Sequence, residues 1–242
     1  MTSTLKTNAI EPEGATTNLV IGESGQNTVI SNNDLRANVL QDAGGNALFT
    51  SNGSGVLSGV NSAFGSAMAL LSTQTASGSA SLSFTSGIDS TYGEYIFKFY
   101  NINPATDGAV FSFQVNASGQ SGYNETITST HFHTYHGETV SDQNLLYNVS
   151  YDQAQDTNYE ILHPSLGNGS DENCAGELHL FNPASTTYVK HFYSTLQGYY
   201  GGDYSYMVFQ AGYINTTTAI DDIQFKMNSG NFDGKIKMWG VK

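Results

Sequence analysis

The sequence predicts an all-β chain: an antiparallel jelly-roll or β-sandwich over residues 67–242, preceded over residues 1–66 by short strands that form an attachment or stalk region. Three observations predict it. Short segments of alternating apolar and polar residues recur at roughly ten-residue spacing, with turn signals between them. Fifteen tyrosines and thirteen phenylalanines favour pleated surfaces, which suit aromatic side chains. No segment sustains the apolar repeat of a long helix.

The N-terminal region offers "TNLVIG", "NTVIS", "NVLQD", "NALFTS" and "GVLSGV", separated by "ESGQN", "SNND", "AGGN" and "SNGSG". The separators carry Gly, Asn and Ser, the residues that tolerate or stabilise turns. Each candidate strand supplies only two or three apolar side chains. One copy cannot bury enough surface to offset the entropy of ordering it. The region is therefore expected to be a flexible tail, or to share a core with other chains in an intertwined β-stalk.

From Met68 onward the alternation strengthens. "ASLSFTS" places Leu82 and Phe84 on one face, and "EYIFKFYNI" does the same for Tyr95, Phe97 and Phe99. "AVFSFQV", "ETITSTHFHTYH", "GELHLFN", "YVKHFYS", "YMVFQAGYI", "IDDIQFKM" and "GKIKMWGV" continue the pattern. "FGSAMALLSTQ" reads as the start of a short helix, and "SDQNLLYNVSYDQAQ" is ambiguous. The segment "KIKMWGVK" is expected to pair beside the strand that begins at Leu70.

Composition excludes several functions. Only 12% of residues are charged, the formal net charge is −13, and Arg36 is the only arginine. There is no cationic footprint for nucleic acid or for an anionic lipid surface. The start "MTSTLKTNAIEPEG" lacks the apolar core of a signal peptide. No apolar run approaches the ~20 residues of a membrane-spanning helix, so no membrane insertion is expected. Cys174 is alone and forms no intrachain disulfide.

Candidate chemistry concentrates in two places. "THFHTYHGE" puts His131, His133 and Tyr135 on one strand face, and Phe132, Thr134 and His136 on the other. His131-x-His133-x4-Glu138 matches part of a cupin metal motif, but Glu125 and Leu145 stand where that motif has glycine, and its second half is missing. His131 and His133 are thus the nearest approach to a metal pair, and the expectation is no metal and no cofactor, with both rings as half-exposed, hydrogen-bonded strand residues. Nucleophile elbows, P-loops and H-E-x-x-H are absent, and Cys174 lies among acidic residues that disfavour its thiolate. No catalytic residue is therefore assigned, and the chain is expected not to be an enzyme. The segment "NGSDENCAGE", with Asp171, Glu172 and Glu177, lacks the alternating spacing of a calcium loop. The strongest binding feature is "LQGYYGGDYSYMVF". Tyr199, Tyr200, Asp203 and Tyr204 are its candidate glycan-binding residues: flat rings for stacking on sugars beside a carboxylate for their hydroxyls. The competing reading packs Tyr204 and Tyr206 inside the sheet.

Four segments carry a resemblance: "LVIGESGQNTVIS…LQDAGGNALFTSNGSG", "LLSTQTASGSASLSFTSGIDSTYGEYIFKFYNINPATDG", "LHLFNPASTTYVKHFYS" and "AGYINTTTAIDDIQFKMNSGNFDGKIKMWGV". They resemble structural proteins of marine bacteriophages, described as virion, tail-fibre or appendage proteins. The resemblance implies an oligomeric particle component with an N-terminal attachment part and a C-terminal β-domain. The expectation is a non-enzymatic virion protein, assembled in the host cytoplasm as a homotrimeric fibre or appendage. Its partners would be its own copies, other virion proteins through the N-terminal region, and a host surface glycan, with no nucleic acid. The alternatives are a capsid-decorating or head-fibre protein that stabilises the shell, and a cupin-like or glycan-active enzyme, which the missing motifs oppose.

Overall fold

A computed structural model of the chain describes residues 39–41, 46–51, 54, 57–60, 67–138 and 142–242. The chain divides into two units between Phe64 and Gly65. In the first, β1 (Val39–Gln41), β2 (Ala47–Ser51) and β3 (Leu57–Val60) form an antiparallel meander, with Leu40 opposite Phe49 and Phe49 opposite Val60. These are three of the five short strands read from the sequence, and "TNLVIG" and "NTVIS" lie outside the described residues. Their backbones pair within one chain, yet no side chain described in this unit is buried.

The second unit contains two sheets, antiparallel throughout. The core of the arrangement is eight strands in two sets of four. One set runs β4 (Met68–Ser79), β16 (Phe232–Val241), β6 (Glu94–Pro104), β12 (Cys174–Phe181). The other runs β5 (Ser81–Phe84), β15 (Ile220–Met227), β7 (Ala109–Ala117), β11 (Glu160–Leu166). Beyond β12 the first sheet continues through β13 (Lys190–Tyr200), β14 (Tyr204–Ile214) and β8 (Ile127–Gly137). The outer edge of β8 pairs with β9 (Gln143–Tyr147) and then β10 (Ala154–Asp156). The extension therefore comes from two insertions, β8–β10 between β7 and β11, and the β13–β14 hairpin between β12 and β15.

Two expectations need correction. "FGSAMALLSTQ" is not a helix start: its residues from Met68 belong to β4, which pairs with β16 from Met68 opposite Val241 to Ser79 opposite Phe232. A long ladder overrides the modest helix preference of Ala, Met and Leu. The same ladder sets Trp239 opposite Leu70, as the terminal alternation predicts. The segment "EILHPSL", which does not stand among the strands expected from alternation, is β11. Pro164 disqualifies it as a central strand, and it lies at a sheet edge, where proline's missing N–H is tolerated.

The two sheets are held face to face by phenylalanines. Phe225 of β15 lies 5.4 and 5.3 Å from Phe97 and Phe99 of β6, and 6.2 Å from both Phe84 of β5 and Phe111 of β7, centroid to centroid. Phe113 reaches Phe192 of β13 at 5.2 Å, edge to face. Such pairs add about 0.5–1.5 kcal/mol beyond burial. Phe225 touches rings from three strands besides its own, so truncating it opens a cavity that no single neighbour can fill. Phe225→Ala is expected to lower the unfolding free energy by about 3–5 kcal/mol in denaturant titration. A loss below about 1 kcal/mol would show that the sandwich is not centred on this ring.

Candidate functional site

The second sheet ends at β11, while the first runs on through β14 and β8. Past β11, no strand among the described residues of this unit opposes the inner face of the extension, and a cleft of about 280 Å³ opens there. All its lining residues come from the two insertions. The β8–β10 insertion supplies His133, Tyr135, Asp142, Asn148 and Tyr151; the β13–β14 hairpin supplies Tyr200, Tyr204 and Tyr206.

Local geometry follows from local sequence. Tyr200 and Tyr204 face each other across a three-residue turn, Gly201–Asp203. Asp203 adopts φ +66°, and the N–H groups of Gly202 and Asp203 donate to the Tyr200 carbonyl at 2.6 and 3.1 Å. A left-handed final residue is typical of three-residue hairpin loops, and Asp tolerates it. Tyr151 is set by a second turn: its N–H donates to the Asn148 carbonyl at 3.2 Å, and Ser150 N–H donates to Asn148 Oδ1 at 2.9 Å. The edge strand leaves β8 after Asn148, whose N–H bonds the His131 carbonyl, and rejoins it where Ser129 N–H meets the Gln153 carbonyl. The bulge between them carries Tyr151 over the sheet face.

The rings form two orthogonal sets. Tyr206 is flanked by His133 at 4.6 Å and 22°, by Tyr200 at 4.9 Å and 24°, and by Tyr135 at 6.2 Å and 5°. Tyr204 stands at 89° to Tyr135 and 88° to Tyr200. Its hydroxyl donates to Asp142 Oδ2 at 2.5 Å, which fixes the carboxylate at the rim. Two glycines keep the site open. A side chain at Gly198 would strike His163 at 2.6 Å, and one at Gly137 would meet the Tyr204 ring at 3.2 Å.

Beneath the cleft lies a polar floor. Glu160 of β11 is fully buried, and its Oε1 accepts from Ser129 Oγ at 2.8 Å and from Gln210 Nε2. Burial pushes its carboxyl up to about 8. His131 sits opposite Gln210 in the β8–β14 ladder, is buried, and neither ring nitrogen has a hydrogen-bond partner. Burial, with His133 as neighbour, brings its pKa down to about 4. His163, also buried, packs against Tyr206 at 5.4 Å and is pulled down to about 3 by the same burial. The expectation of half-exposed, hydrogen-bonded histidines is thus overturned for His131 and His133, because their strand face lies under β11 and the Tyr151 bulge rather than against water. Among the described residues, no group of three or more His, Cys, Asp or Glu side chains is arranged to hold a metal.

The sequence candidates separate. Tyr200 and Tyr204 line the cleft. Tyr199 alternates to the outer face, where its single hydroxyl proton is shared between Asp203 Oδ1 at 3.1 Å and Glu138 Oε1 at 3.2 Å. Asp203 therefore holds the hairpin and Tyr199 rather than the cleft. Tyr135, Asp142, Tyr151 and Tyr206 were not among the candidates. Only the alternation of Tyr204 with Tyr206, and of His133 with Tyr135, hinted at a shared face. The acidic loop disperses: Glu172 turns back to accept from Gly169 N–H at 2.6 Å, while Glu177 pairs with Lys98 at 3.4 Å. Cys174 is buried, and burial pushes its thiol up, away from the reactive thiolate.

The floor has a pH signature. Glu160 keeps its proton in the fold to about 8 but loses it near 4.5 when unfolded. Folding then binds a proton across that interval, and stability falls as pH rises through it. His131 and His163 act oppositely: they lose stability as pH drops below about 6.5, because only the unfolded chain accepts the protons. Between about pH 6.5 and 8, Glu160 acts without them. Denaturant titrations there are expected to show a loss of about 2 kcal/mol, at about 1.4 per pH unit, that is absent in Glu160→Gln. An equal decline in the variant would contradict a neutral, buried Glu160.

No protein-family model matches the sequence, no curated protein is significantly similar to it, and no solved structure matches its fold.

Proposed function

We propose that the chain is a non-enzymatic virion appendage protein whose C-terminal sandwich binds a saccharide of the host surface in the tyrosine cleft. The observation that carries the saccharide reading is the cleft itself: five tyrosines, one histidine, one carboxylate and one amide, all borne by insertions into an otherwise closed two-sheet core. Sugar rings present apolar C–H faces and a rim of hydroxyls. Tyrosine faces match the first; Asp142, Asn148 and the phenol hydroxyls match the second. At about 280 Å³ the cleft is slightly smaller than the ~300–1,000 Å³ of drug-sized ligand pockets, which suits one or two sugar units.

A hydrolytic role has less support. Glu160 has the raised pKa of a general acid, but it is fully buried beneath the floor and bonded to Ser129 and Gln210, out of reach of a substrate in the cleft. The virion assignment rests on the resemblance of the quoted segments. The two four-stranded sets, β4-β16-β6-β12 and β5-β15-β7-β11, support a jelly-roll core carrying a five-strand extension. The homotrimer is supported by an unprotected edge. Strand β9, "QNLLY", has no charge or proline, and Leu145, Tyr147 and nearby Val149 are 65%, 55% and 76% exposed. Uncharged apolar edges of this kind are normally covered.

Titration calorimetry with monosaccharides and host surface polysaccharide tests the proposal. Tyr200→Ala and Tyr151→Ala are each expected to weaken binding about tenfold, and Tyr199→Ala to leave it unchanged. Loss of binding in Tyr199→Ala alone would move the site to the outer face. Light scattering on the full chain is expected to read three times 25.9 kDa, and a monomer at micromolar concentration contradicts the trimer.

A further inference from the structure

The charge pattern of the cleft narrows the class of saccharide. Among the described residues no lysine or arginine lines it, and the one formally charged side chain there is Asp142. The chain around it carries a net charge of −13. His133 forms part of the wall, stacked on Tyr206, and burial lowers its pKa, which keeps its ring uncharged near neutral pH. The remaining wall is the Asn148 amide and five tyrosine rings, whose faces, where open to the cleft, present negative potential. Because Tyr204 stands nearly perpendicular to both Tyr135 and Tyr200, an entering group meets aromatic rings from two directions at once. A carboxylate-bearing sugar would find no cation to pair with, and would face Asp142. A neutral sugar gains stacking and hydroxyl contacts only. An ammonium gains those, an ion pair with Asp142, and the attraction of the surrounding ring faces.

We propose that the cleft selects a saccharide carrying a free, protonated amino group over N-acetylated, neutral and acidic saccharides. The inference rests on the saccharide reading above and adds its specificity. Asp142 is the residue that reads the charge. Its position is held by the Tyr204 hydroxyl, and the adjoining backbone is tied by Gly137 N–H to the Asp142 carbonyl at 2.7 Å.

Calorimetric titration of the full chain with glucosamine, N-acetylglucosamine, glucose, glucuronate and choline, on the acid side of neutrality, tests it. Glucosamine is expected to bind about tenfold more tightly than N-acetylglucosamine or glucose, with glucuronate weakest. Choline, an ammonium without a sugar ring, is expected to bind more weakly than glucosamine. Added salt and the isosteric Asp142→Asn are each expected to shrink the ratio of glucosamine to N-acetylglucosamine affinity severalfold. Equal binding of glucosamine and N-acetylglucosamine overturns the charge selection and leaves the saccharide site standing. Choline matching glucosamine overturns the amino-sugar assignment, as does a ratio unchanged in Asp142→Asn. Absence of binding by every sugar removes the saccharide reading and this inference together.

Discussion

The two sheets of the sandwich are unequal in width, and much of the molecule follows from that mismatch. Four strands cannot cover a sheet whose path runs through eight. Over β4, β16, β6 and β12 the second sheet provides cover, and the space between is filled mainly by phenylalanine and aliphatic side chains. Past β11 the cover ends, and the inner face of β14 and β8 passes from a dry core to water within a few residues. Purely apolar side chains would be stranded at that boundary. Tyrosine suits it, because the ring packs against the sheet while the hydroxyl stays wet. The order along β14 shows the transition: Val208 is buried in the interior, Tyr206 is nearly so, and Tyr204 meets solvent and Asp142 at the rim.

The same mismatch explains the polar floor. Glu160 and His163 belong to the last strand of the narrow sheet, and they face Ser129, Gln210 and Tyr206 of the wide one. Burying a carboxyl and two imidazoles is costly, and the protein reduces that cost by keeping all three uncharged near neutral pH. The floor therefore adds no charge to the cleft above it, whose electrostatics are left to Asp142 and the ring faces. The cleft on this scaffold is lined by the insertions, and the eight-strand core supplies none of its lining side chains.

The sequence showed the fold better than the site. Alternation in "EYIFKFYNI", "AVFSFQV" and "IDDIQFKM" marks strands because each has one face in the phenylalanine core. It failed for β11, where Pro164 and the consecutive buried residues Leu162 and His163 break the period, and for β4, whose partner lies more than 150 residues away. Tyr200 and Tyr204 were legible because a glycine turn presents them. Tyr135, Asp142 and Tyr151 join them only through the β8–β14 ladder, whose partners are 67 to 87 residues apart, and the bulge beyond β8, pairings that no local spacing encodes. Tyr199 and Asp203 fall outside the cleft for a related reason. A strand's period of two sends neighbours to opposite faces, and which face held the cleft depended on where β11 ends.

The central claim is that the uncovered end of the wide sheet is a saccharide site. NMR of the full chain with labelled tyrosine rings, titrated with the saccharide that binds best, tests it most directly. The account predicts shifts confined to Tyr135, Tyr151, Tyr200, Tyr204 and Tyr206, with Tyr188, Tyr193 and Tyr199 unmoved. Shifts confined to the outer-face rings Tyr193 and Tyr199, with the cleft silent, would contradict it.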